Sequence, residues 1–139
     1  MEDILNFESR PFKSISKMNS ALIGSCFQDA SEDDIIIHVG DLYSFKSDRG
    51  NEGGQQKPSN VINLIPSTFI NIRGNHDINN KVKSTCDSMR VHFGARYPNV
   101  SVSHYPSYDK KAYGNFINGD IHICGHVHKK WRHCLDLDH

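Results

Sequence analysis

The amino-acid sequence predicts an α/β protein, and two observations lead to that class. Apolar runs of strand length are interspersed with stretches of helical periodicity, and four of those runs lead straight into short polar motifs at their C-terminal ends. Chemistry gathered at the carboxyl ends of strands is the arrangement that α/β sheets use to build a site.

Residues 17–29, KMNSALIGSCFQD, place Met18, Leu22, Ile23, Cys26 and Phe27 at helical spacing, with Ser16 as the cap ahead of them. The segment DDIIIHVGDL follows, and its run of Ile35, Ile36, Ile37 and Val39 predicts a strand buried on both faces that ends at Gly40-Asp41. Residues 43–58 hold three glycines, a proline and mixed charges and predict a loop bordering whatever Asp41 serves. Residues 59–65 read as a short helix stopped by Pro66, and STFINIR at 67–73 as a second buried strand that enters Gly74-Asn75-His76-Asp77. The stretch INNKVKSTCDSMRVHF reads as helical, NVSVSHYP as an alternating strand leading to His104, and GDIHICGHVH as a strand leading to His126 and His128. No repeat or low-complexity tract interrupts this order.

The chain has 139 residues, a length that suits a single domain over residues 1–139 with room for a core. Sixteen basic and sixteen acidic residues cancel, so no long-range field draws nucleic acid or an anionic membrane surface. No apolar run nears the roughly 18 residues of a membrane span, and MEDILNFESR is too charged for the apolar core of a signal peptide, so a cytoplasmic location without a membrane partner is expected. Cys26, Cys86, Cys124 and Cys134 form no C-x-x-C pair and are expected as free thiols. Nine histidines are the one compositional excess, and imidazole is both a common metal ligand and an acid-base group.

A two-metal hydrolase needs carboxylate and imidazole ligands converging on ions about 3.5–4 Å apart. Asp41, able to bridge two ions, Asn75 as a neutral oxygen donor, and His104, His126 and His128 as nitrogen donors make such a set. Mixed nitrogen and oxygen donors suit manganese, iron, zinc or nickel better than magnesium. In Gly125-His126-Val127-His128 the two imidazoles stand two residues apart, on one face of extended chain, after a glycine that permits a sharp turn. In Gly74-Asn75-His76-Asp77, His76 is placed to donate a proton to a leaving oxygen while Asp77 fixes its tautomer, so these two are the candidate catalytic pair. His38, inside the isoleucine run, reads as a satisfied wall residue, His92, His122, His133 and His139 as structural or exposed, and Arg10 and Arg73 as surface or ion-pair residues.

The order GD, GNHD, a lone histidine in SHYP, then GHVH resembles the calcineurin-like metallophosphoesterase superfamily, and ILNFESRPF followed by MN is similar to its small bacterial and phage members. The resemblance runs from about Ile4 to Leu137 and covers four of the five signature blocks. It implies a layered β-sandwich with flanking helices, with Asp41 as bridging ligand, Asn75, His104 and His126 completing one metal site, and His128 belonging to the other. It further implies hydrolysis of a phosphomonoester or phosphodiester, on a small molecule or a nucleic acid, by metal-activated water, with His76 assisting the leaving group.

The first block of the family, an Asp-x-His at the end of the first strand, does not occur before Asp41. The expectation is therefore a domain trimmed at both ends, without the first strand and a C-terminal strand, with one well-bound divalent ion and an incomplete second site. Three readings follow: a working enzyme, in one version completed by a second polypeptide that supplies the missing strand; a weak or inactive remnant that binds metal or a partner; or a structural zinc module of Cys124, His126, His128, His133 and Cys134, which leaves GD and GNHD without a use.

Overall fold

The computed structural model describes residues 9–42, 60, 62–106 and 119–127. The loop expected over 43–58, positions 59 and 61 of the short helix expected over 59–65, His128, and both chain ends lie outside the described residues, while residues 60 and 62 are helical.

Helix α1 spans Ile15–Asp29. Its cap is Ser14, whose side chain accepts from the backbone N–H of Lys17 at 3.2 Å, two residues ahead of the serine expected from sequence. The shift follows from burial: Ile15 and Met18, one turn apart, form the inward edge of the helix, so Ile15 must already be helical. Leu22 and Phe27 remain about half exposed. Beyond Ala30 the chain turns through Asp34, which accepts from the N–H and hydroxyl of Ser31, and enters strand β1, Ile35–His38.

Strand β2, Thr68–Asn71, pairs with β1 in parallel, with Ile35 opposite Thr68 and His38 opposite Asn71. The isoleucine run does make a strand, but it is not buried on both faces: Ile35 is 62% exposed. Among the described residues this sheet has two strands, too few to cover the start of β1.

Helix α2 is a single turn, Asn75–Asn79. The long helix expected over 78–93 does not form, because Asn79 and Asn80 are poor helix formers, Lys81 takes a left-handed backbone (φ 56°), and the following residues find partners elsewhere. Thr85 and Cys86 run beside the end of β2, where Thr85 N–H donates to Asn71 O and Arg73 N–H donates to Cys86 O, and Ser88–Val91 becomes strand β3. Long-range pairing overrides a local periodicity that suited a helix.

Strand β3 pairs antiparallel with β4, Val100–Ser103, which pairs in parallel with β5, Ile121–Cys124. Asp120 fastens all three strands, taking a two-pronged ion pair from Arg90 on β3 and a hydrogen bond from Ser101 on β4. The buried apolar residues include Ile72, Val102 and Tyr105. Four strand ends, those of β1, β2, β4 and β5, meet: His104 Nδ1 lies 2.8 Å from Val39 O, and Gly125 N–H donates to His104 O at 3.1 Å. The molecule is thus an α/β protein, and its described residues form two small sheets that meet where β1, β2, β4 and β5 end.

Candidate metal centre

Asp41, Asn75, His104 and His126 each stand within four residues of a strand's C-terminal end, and a glycine precedes Asp41, Asn75 and His126. Asp41 follows Gly40, and both have positive φ, 58° and 84°. A Cβ on Gly40 would lie 2.6 Å from His104 Nδ1 and 2.9 Å from the Gly74 backbone, while a Cβ on Gly74 would overlap Asp41 itself. His126 follows Gly125 and is likewise left-handed, φ 64°. Two of the chain's left-handed non-glycine residues are therefore candidate ligands, each held there at a cost of about 1 kcal/mol by its surroundings.

Carboxylate and imidazole atoms of Asp41, His104 and His126 lie within 4.8 Å of one another. Asn75 Oδ1 joins them, 3.1 Å from His104 Nε2 and 3.0 Å from His126 Nδ1. His104 Nε2 is also 3.3 Å from Asp41 Oδ2. The structure so brings together Asp41, Asn75, His104 and His126.

The hydrogen bonds decide which atom of His104 faces the cluster. Val39 O can only accept, so the Nδ1 that meets it carries a proton. In the neutral ring Nε2 then presents a lone pair to two oxygens, from Asp41 and Asn75, an arrangement that needs a positive centre. A proton on Nε2 is one such centre. Burial lowers the pKa of His104, but its hydrogen bonds to Asp41 and Val39 and the charges of Asp41 and Asp77 outweigh that and push it above the ordinary histidine value. Burial likewise raises the pKa of Asp41, yet hydrogen bonds from His104 and the His76 N–H, with the charges of both imidazoles, hold it below the usual carboxylate range. A divalent cation is the other such centre, and the donor set of one carboxylate, one amide oxygen and two imidazoles fits one. Among the described residues the cluster contains no thiol, and Cys124 is a half-buried free thiol whose pKa is raised by burial.

His76 is exposed at the edge of the cluster, and its backbone N–H donates to Asp41 Oδ1 at 2.8 Å. The expected pairing of Asp77 with the His76 ring is not what the structure has. Asp77 is fully buried and its oxygens accept from three backbone amides, Asp41 and Gly74 at Oδ2 (2.9 and 3.0 Å) and Leu42 at Oδ1 (2.9 Å). At the third position of α2 its side chain reaches back to the Gly74 N–H, as acidic residues there do, and so it lies beneath the loops instead of beside the ring.

Tyr105 was not singled out by sequence reasoning. Its ring, 6% exposed, packs 5.1 Å from that of His104 and 4.8 Å from that of His126, forming one wall of the cluster. Its adjacency to His104 in SHYP was the available signal. His38 lies on the wall as expected, 2.9 Å from Asn71 Oδ1 and stacked on Phe69. His122 meets Ser103 and His92 meets Asn99, and Arg73 pairs with Asp87 at the surface.

No family model matches the chain, and no solved structure matches it. An uncharacterized protein of Methanocaldococcus jannaschii is similar, 29% identical over 75 residues. That match takes in 54% of this chain and 39% of the relative, so the chain spans well under half of that protein's length.

Proposed function

We propose that the chain is a metal-dependent phosphoesterase acting on phosphomonoester or phosphodiester bonds. The observation that carries the reading is the convergence of a carboxylate oxygen, an amide oxygen and two imidazole nitrogens from four strand ends, with a further imidazole, His76, exposed at its rim. A divalent cation held there activates water and screens the charge of phosphate oxygens. Asp41, Asn75, His104 and His126 hold it, and Val39 O keeps His104 in the tautomer that turns Nε2 inward. His76 is placed to give a proton to the departing ester oxygen. The resemblance of the motif order to calcineurin-like metallophosphoesterases supports the same reading, and two sheets meeting at their C-terminal ends suit the layered sandwich of that superfamily. One well-bound ion is proposed, because Asp41 is the sole carboxylate of the cluster among the described residues.

The test is manganese binding by equilibrium dialysis together with hydrolysis of an aryl phosphodiester. One ion per chain is expected, with turnover reduced about 100-fold or more in both Asp41→Asn and His76→Ala. Absence of ion binding, or turnover that ignores both substitutions, overturns the proposal. Turnover that requires a peptide carrying an Asp-x-His strand identifies a split enzyme, and binding without turnover identifies a metal-binding remnant.

A further inference from the structure

We infer that Asp77 is a positioning residue, whose carboxylate sets the backbone of both ligand-bearing loops so that Asp41 faces the two imidazoles; the inference rests on the metal-centre reading above. Three observations carry it. Asp77 is completely buried, and both its oxygens act as acceptors from backbone N–H groups. Those amides belong to two different loops, Asp41 and Leu42 after β1 and Gly74 after β2, so a single side chain joins them. The residue between the joined amides, Asp41, is in a left-handed conformation (φ 58°), and the two amides that flank it are the ones the Asp77 carboxylate holds.

The geometry explains why the clamp must be an acidic side chain. Left-handed Gly40-Asp41 turns the N–H groups of Asp41 and Leu42 inward, toward the carboxylate, and by the same rotation turns the Asp41 carboxylate toward His104. Gly74 N–H donates to the same oxygen as Asp41 N–H, which draws β2's loop close enough that Gly74 has no space for a Cβ beside Asp41. Asn75, the next residue, is thereby set with its Oδ1 between the imidazoles. Three inward N–H groups without an acceptor would be buried and unsatisfied, and an amide side chain presents only one acceptor oxygen. His76 gains no tautomer control from Asp77 in this arrangement.

The experiment compares the full chain with Asp77→Asn and Asp77→Glu, following cobalt(II) binding by its visible d–d absorption, folding by circular dichroism, and backbone amide exchange by NMR. Both variants are expected to bind cobalt about 10- to 100-fold more weakly, the range for residues that orient metal ligands. Their absorption bands should change shape, and the amides of Asp41, Leu42 and Gly74 should exchange faster. Should the asparagine variant not fold, the glutamate variant gives the answer, since it keeps both acceptor oxygens and moves them by one methylene. A folded variant with wild-type affinity and an unchanged band overturns the inference. If the wild type binds no cobalt, the metal-centre reading fails; protection of the three amides that is lost in the variants then still upholds the clamp, and its absence overturns that too.

Discussion

The proton on His104 Nε2 links the imidazole to the carboxylate of Asp41. His104 carries that proton above the ordinary histidine pKa, and so its pairing with Asp41 stabilises the metal-free fold fully below about pH 6.5 and fades as pH rises through the raised value. On the proposed reading metal binding would have the opposite sign, because ion and proton would compete for Nε2. Cobalt affinity is expected to fall by about tenfold or more per pH unit below the raised pKa, since His126 also has to lose its proton to ligate, and to level off at higher pH. Titrations from about pH 5.5 to 8.5 measure this, and an affinity independent of pH would rule His104 out as a ligand. At this scale the sequence was informative where residue types are scarce and purposeful: Asp41, Asn75, His104 and His126 were all named from motif and strand end, and all four meet. The position of Asp77 was not legible, since a carboxylate beside a histidine in sequence says nothing about which backbone amides fold around it.

Among the elements, strands were easier to read than helices, for a physical reason. Each apolar run ended in a turn that strand geometry requires, whereas 78–93 had a helical rhythm without a helix's continuity, and pairing with β4 and β2 claimed it. The β3–β4–β5 sheet carries a polar fastening that no periodicity announces. Asp120 is held far below the usual carboxylate range by hydrogen bonds from Arg90 and from Ser101, reinforced by the Arg90 charge. A depressed folded pKa means that its stabilisation is complete above the unfolded value of about 3.9 and is lost as pH falls through the folded one. Comparing the melting temperatures of the wild type and Asp120→Asn tests this: the gap should be full at neutral pH and narrow below about pH 4. A gap that stays constant down to strong acid would show that Asp120 acts by packing alone.

At the scale of the whole molecule, the centre is the place where the two sheets are joined, so an ion there should act on the entire fold. A ligand present at about 100 times its Kd stabilises by about 2.7 kcal/mol, on the order of 10 °C in melting temperature for a domain of this size. Thermal unfolding with manganese and then with a chelator measures it. No shift, at concentrations where dialysis reports saturation, would place the ion away from the junction. Within the described residues no helix is long and apolar enough to cross a membrane. The contacts that assemble the centre are also among the most distant in sequence: His104 meets Val39 across 65 positions and His126 meets Asn75 across 51. Contacts of that range close late, because the loops between them must first lose their freedom. On the proposed reading a cation would not seed the folding of this chain; it would find Asp41, Asn75, His104 and His126 together only once both sheets exist, and would serve as a latch on a finished structure whose chief kinetic effect is to slow the structure's coming apart.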